Sequence, residues 1–148
     1  MHKYARLDPE TLEIIRDINE GKLSLTEDLA EYLLDLLASK KPTAIEALDI
    51  LDALYGSTYM PAPDYLGNHE KWLQDQGYKL TPEDVDYLDP LEAQSILYNL
   101  FYNGADIYKF VQPVLPLLVK KALRGPSGED FLRIIPEEIL QDLNLNFF

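Results

Sequence analysis

The stretch that decides the fold runs from Asp89 to Gly125 and reads DPLEAQSILYNLFYNGADIYKFVQPVLPLLVKKALRG. The Asp89 side chain can cap a helix, and Pro90 suits the first helical position because the N–H that proline lacks would have no partner there. Gly104 is the predicted C-cap of this helix. Between them, apolar residues recur at intervals of three and four, which predicts one buried face made of Ala93, Ile96, Leu97, Leu100 and Phe101.

A second apolar helix is predicted from about Asp106 to Arg124. Its residues 110–119 carry no charge, so a membrane span has to be considered. Crossing a bilayer takes about 20 apolar residues, and this run is half that length. Pro113 and Pro116 each remove a backbone donor, which predicts a kink or break. The pair therefore indicates the core of a soluble protein, with no membrane association.

The same helix-start pattern recurs outward from this pair. Asp8-Pro9 and Thr81-Pro82 each combine a capping side chain with proline, and Thr43 with Glu46 has the spacing of a capping box. No segment alternates apolar and polar residues with period two, so strands are not expected. The sequence predicts an all-α, single-domain helical bundle over residues 1–148, with about seven to nine helices and a proline-kinked central helix.

Composition excludes several kinds of site. The chain of 148 residues contains no cysteine, so disulfides, thiolate metal sites and cysteine nucleophiles are ruled out. His69-Glu70 lacks the second histidine of a zinc-protease helix, and no glycine-rich phosphate loop is present. The acidic run from Asp84 to Glu92 departs from a calcium loop, because the essential turn glycine is missing. We expect no enzyme activity, no metal and no cofactor, and the lack of a signal peptide favours the cytoplasm.

Net charge is the strongest functional indication. It is −13 overall, and residues 42–106 alone hold 12 acids and 2 bases, hence −10. Such acidity disfavours direct nucleic-acid binding and favours a basic protein partner. Two helices are predicted to carry rows of acids on one side. These rows are Glu27, Glu31 and Asp35, and Glu46, Asp49 and Asp52.

The second row leads into a loop, residues 56–68, that shows no periodicity. Loops of about a dozen residues within a compact domain are more often functional than not. Aromatic residues cluster around the loop, and tyrosine and tryptophan are common at protein interfaces. The predicted partner-binding residues are Glu46, Asp49, Asp52, Tyr55, Tyr59, Tyr65, Trp72 and Tyr78.

The predicted function is a small acidic, non-enzymatic protein-binding module that engages a basic protein surface as an inhibitor, immunity-type protein, adaptor or regulator. One alternative is a nucleic-acid mimic, although acids about 6 Å apart along a helix are sparser than phosphates about 3.4 Å apart. A second alternative is an enzyme or cofactor binder with a pocket in the helical core, where Asp106 is the candidate buried carboxylate. A third is a structural or oligomerisation component that uses the 106–124 helix or the Phe147-Phe148 tail. The sequence does not indicate the oligomeric state.

Overall fold

The computed structural model describes residues 4–39, 42–55, 57–61, 68–102 and 106–142. Within these ranges all regular structure is helical and no strand is present, which confirms the all-α prediction. The chain divides into two compact units, Met1–Tyr78 and Lys79–Phe148. The prediction of a single domain over the whole chain stays a prediction.

The first unit is built around one helix. Its four helices are α1 (Pro9–Asn19), α2 (Glu27–Ser39), α3 (Ala44–Leu54) and α4 (His69–Asp75). Helix α3 packs against each of the other three. Ala47, Ile50, Leu51 and Leu54 of α3 are all fully buried. The apolar residues of α3 therefore form the core that positions every other helix of this unit.

The starts of these helices follow the capping rules. An Asp8 carboxylate oxygen accepts the backbone N–H of Thr11 at 2.8 Å, and this bond lowers the pKa of Asp8. Thr43 and Glu46 form the predicted capping box at the start of α3. At the start of α2 the Thr26 hydroxyl accepts the N–H of Leu29 at 3.2 Å. These local bonds satisfy helix N–H groups that have no partner within the helix.

The second unit contains the stretch from Asp89 to Gly125. Its helices are α5 (Pro82–Tyr87), α6 (Pro90–Tyr102), α7 (Tyr108–Val111), α8 (Leu115–Ala122), α9 (Gly128–Ile134) and α10 (Glu137–Asp142). Helix α8 packs against α5 and α6. Helix α6 begins as predicted, with Asp89 accepting the N–H of Glu92 at 2.7 Å and Glu92 accepting the N–H of Asp89 at 2.9 Å.

The predicted proline interruption is confirmed. A 3-10 turn at Gln112–Val114 separates α7 from α8, Pro113 lies within this turn, and Pro116 lies in the first turn of α8. If the interrupted segment Tyr108–Ala122 is counted as one helix, the described residues hold nine helices, within the predicted number. Phe110, Leu118 and Val119 of this segment are fully buried. The interruption therefore bends a core element without exposing it.

Three predictions fall outside the described residues: the Gly104 cap, most of the 56–68 loop and the docking of the Phe147-Phe148 tail. None of the described helices combines the length and the apolar character needed to cross a bilayer.

Candidate protein-binding surface

The acidic row of α2, formed by Glu27, Glu31 and Asp35, faces solvent. All three side chains are exposed, and none forms an ion pair with a described residue. Successive members lie about 6 Å apart along the helix. Like charges at this spacing repel each other by a few tenths of a kcal/mol, so the row does not stabilise the helix. It is available to a cationic group from outside.

Tyr59 lies beside this row. Partial burial, together with the carboxylates of Glu27 and Glu31, raises the pKa of the Tyr59 hydroxyl. A turn after α3 fixes its backbone: the Ser57 hydroxyl donates to the Leu54 carbonyl at 2.7 Å and accepts the N–H of Tyr59 at 3.2 Å. The two carboxylates attract cations by their charge, and the nearby tyrosine ring attracts cations through its π face. One aromatic residue of the predicted site is thus brought to the acidic face of a different helix.

Glu46 does not belong to an exposed row, which corrects the expectation that it faces outward with Asp49 and Asp52. Its residue exposure is only 5 %. Its carboxylate accepts three backbone N–H groups, from Thr43 at 2.8 Å, Arg6 at 3.3 Å and Leu7 at 3.4 Å. The bonds to Arg6 and Leu7 tie the segment before α1 to the start of α3. Glu46 therefore serves the fold, and we leave it out of the candidate surface.

Asp52 is exposed but engaged. One of its carboxylate oxygens lies 3.1 Å from Nδ1 of His69, at the start of α4, and the Asp52 side chain keeps 59 % exposure. The ring of Tyr55 meets the His69 ring edge-on at 5.7 Å, while Tyr55 itself is 65 % exposed. This contact joins the ends of α3 and α4. The Asp52 carboxylate and the Tyr55 ring are both accessible to a partner, but each already contacts His69.

Three further residues belong to the predicted site, and the structure describes two of them, Trp72 and Tyr78. Trp72 on α4 is half-buried. Tyr78 is also half-buried, its hydroxyl is shielded from solvent without a hydrogen-bond partner among the described residues, and burial raises its pKa against the opposing effect of the Arg6 guanidinium. Tyr65 lies outside the described residues. Because the Tyr78 hydroxyl is shielded, Trp72 is the better candidate of the two described residues for contact with a partner.

Asp49 lies on the exposed side of α3 that faces α1. The side-chain amide of Asn19 donates to the Asp49 backbone carbonyl at 3.1 Å, which fixes the end of α1 against α3. Its carboxylate remains exposed at the edge of a cavity between the two helices. Of the three acids in the predicted α3 row, Asp49 thus agrees best with the prediction of an exposed carboxylate.

A second aromatic surface lies in the other unit. Tyr98 and Tyr102 on α6 are 48 % and 51 % exposed, with ring centroids 5.2 Å apart. The Tyr102 hydroxyl donates to the carbonyl of Ile134. No acidic row accompanies this pair, so it lacks the electrostatic feature that marks the α2 surface.

The described residues give little support to an enzyme, cofactor-binding or metal-binding function. Asp106 is exposed and accepts the N–H of Tyr108 at 3.1 Å, so it is not the buried carboxylate that the pocket alternative needed. Within the described residues, no group of three or more His, Asp or Glu side chains is placed to hold a metal ion. No family model, curated protein or solved structure matches the chain. The surface must therefore be interpreted from its own geometry.

Sequence reasoning identified the α2 row but left it out of the predicted site. A signal favouring it over the α3 row was present. Helix α3 carries apolar residues around a wide arc, and Ile50 and Ala53 are buried in the structure in addition to Ala47, Leu51 and Leu54. Apolar residues over so wide an arc indicate a helix covered on several sides, so its acids were poor candidates for a free surface.

Proposed function

We propose that the protein is a small acidic protein-binding module that engages a basic surface of another protein, acting as an inhibitor, adaptor or regulator. The contact surface of the proposal is the acidic row of α2 together with Tyr59. Asp52, Tyr55 and Trp72 of the same unit are secondary candidates. We place this activity in the cytoplasm, where a chain without cysteine loses nothing to reducing conditions.

The observation that carries the proposal is the exposed acidic row of α2, with Tyr59 near enough to Glu27 and Glu31 for their carboxylates to raise its pKa. Three exposed carboxylates on one helix face, unpaired among the described residues, generate a local negative potential. Such a potential accelerates encounter with a basic partner and disfavours acidic ones. A half-buried tyrosine adds apolar area and a cation-binding ring, which are features of interface residues that contribute most to affinity.

The test is affinity capture of a partner from the source cell with matched variants as bait. The surface variant carries Glu27→Gln, Glu31→Gln and Asp35→Asn. The control variant removes the same charge from exposed positions in the second unit, with Glu129→Gln, Glu137→Gln and Glu138→Gln. Both variants have a net charge of −10, since each removes three acids from a chain of net charge −13.

We expect wild type and the control variant to retain the same basic protein, and the surface variant to lose it. Tyr59→Ala should also weaken its capture while the helical content measured by circular dichroism stays unchanged. Equal loss of the partner from both charge variants would show that only overall charge matters. Capture of a partner that is acidic or neutral at its contact surface would contradict the proposal.

A further inference from the structure

A cavity of about 250 Å³ lies between α1 and α3. Its deepest lining residues are Ile15 and Glu46, which are buried at 3 % and 5 % exposure, with half-buried Leu12 beside them. The rim residues are all exposed: Arg16, Asn19, Glu20 and Asp49. The cavity thus combines an apolar wall with a polar opening.

The charge of the lining is negative. Glu20, Glu46 and Asp49 contribute three carboxylates against the single guanidinium of Arg16, which leaves two negative charges. Glu20 is 2.9 Å from the ammonium group of Lys22, but both side chains are well exposed, at 46 % and 69 %. An exposed pair of this kind is worth little, so a better-placed cation can compete for Glu20.

We propose that this cavity receives an arginine side chain of the basic partner. The inference rests on the proposed function and specifies one contact within it. Ligand pockets for whole small molecules occupy about 300–1,000 Å³, so a smaller cavity suits a single inserted side chain. The excess of carboxylates over cations in the lining favours a cationic side chain over a neutral or acidic one.

The two ends of an arginine side chain match the two parts of the cavity. Its methylene stem lies along Leu12 and Ile15, because long basic side chains cover apolar surface with their stems and keep the charged end in a polar setting. Its guanidinium meets the oxygen atoms at the rim, on Glu20 and Asp49. The guanidinium carries five N–H donors in a fixed fork, so it bonds several separated acceptors at once, whereas the ammonium of lysine is a point charge.

The test uses nuclear magnetic resonance with a small probe and the full chain. N-acetyl-arginine amide is titrated into the ¹⁵N-labelled protein, with N-acetyl-citrulline amide as an uncharged probe of nearly the same shape. We expect saturable shifts of the backbone amide signals of Leu12, Ile15 and Asp49 with the arginine probe. The citrulline probe should bind at least about tenfold more weakly because it lacks the charge. N-acetyl-lysine amide should fall between them.

Matched variants locate the site. Asp49→Asn should weaken the arginine probe about fivefold, as expected for the loss of one charge-assisted bond at an exposed rim. Asp86→Asn on α5 removes the same charge from an exposed position outside both proposed surfaces and should change affinity by less than about twofold. Glu20→Gln provides a second rim variant if Asp49→Asn alters the fold. Equal weakening by Asp49→Asn and Asp86→Asn, or equal shifts with arginine and citrulline, would overturn the inference.

Failure of the cavity and failure of the proposed function give different results. If the arginine probe shifts no signal of the cavity, while the captured partner still depends on the α2 row, only the cavity inference is wrong. If the probe binds the cavity but no basic partner depends on the α2 row, the proposed function is wrong, and the cavity remains a local cation site.

Discussion

Helices α2 and α3 each carry three acids at helical spacing, yet their neighbours give the two rows different roles. On α2, Glu27, Glu31 and Asp35 face solvent without an ion-pair partner among the described residues. On α3, Glu46 is buried under backbone donors and Asp52 contacts His69. The difference shows that charge spacing alone does not identify a binding surface. The helix at the edge of the unit keeps its acids free, whereas the central helix uses two of its acids to hold other segments.

The largest expected effect that follows from this contrast is on stability, at Glu46. Glu46→Ala removes the acceptor of three backbone N–H groups, one buried and two part-buried, and leaves them without this partner. We expect a loss of about 2–4 kcal/mol in the free energy of unfolding, measured by urea denaturation. The matched control, Glu31→Ala on α2, should change it by about 0.5 kcal/mol or less. Similar losses at both positions would mean that the two rows do not differ as described.

Asp52 should show an intermediate effect. Asp52→Asn keeps the size of the side chain but removes the charge beside His69. Because the carboxylate is largely exposed, we expect a loss of about 0.2–1 kcal/mol in the free energy of unfolding. A loss as large as that of Glu46→Ala would show that the α3–α4 contact depends on a more buried charge than the structure places there.

The burial of the Tyr78 hydroxyl can be tested through the pH dependence of the free energy of unfolding. Burial raises the pKa of Tyr78 in the folded protein. The folded state therefore keeps a proton on Tyr78 that the unfolded state releases near pH ~10. The contribution of Tyr78 to the free energy of unfolding is complete below pH ~10, and it is lost as the pH rises through the folded-state pKa. Tyr78→Phe should match wild type within about 0.5 kcal/mol at pH 7 and lose stability less steeply above pH 10. Parallel curves for the two proteins would contradict the burial of this hydroxyl.

The smallest expected effect is on the α2 row itself. Glu31 lies between Glu27 and Asp35, so Glu31→Gln removes both like-charge contacts. We expect the free energy of unfolding to rise by about 0.3 kcal/mol at low salt, with the gain disappearing at high salt. A loss of stability would show that Glu31 has a favourable partner in the folded protein.

Much of the fold could be predicted because it depends on local signals. Asp8-Pro9, Thr43 with Glu46 and Thr81-Pro82 mark helix starts through bonds made within four residues, and each helix begins where its cap predicted. Pro113 interrupts its helix because it lacks a backbone donor, whatever its surroundings. Gly21 and Gly77, which follow the ends of α1 and α4, adopt positive φ angles of 79° and 93°, a conformation that favours glycine. These features need no knowledge of tertiary contacts.

The candidate surface could be predicted only in part, because it depends on which helix faces which. The sequence indicated acidic rows and aromatic residues near the 56–68 loop, but not that Tyr59 lies beside α2. Glu46 was predicted as part of the capping box that starts α3. Its bonds to the N–H groups of Arg6 and Leu7 join residues about forty positions apart in the sequence. No local pattern encodes such contacts, so the choice between the two rows required the structure.

The rate of association with the captured basic partner tests the central claim most directly. It is measured by surface plasmon resonance at 50 mM and 300 mM salt for wild type and for the two charge variants of equal net charge. If the α2 row steers the partner, the surface variant associates at least about tenfold more slowly at low salt and shows a weaker salt dependence, while the control variant behaves like wild type. Equal association rates for the two charge variants at both salt concentrations would contradict the role of the α2 row.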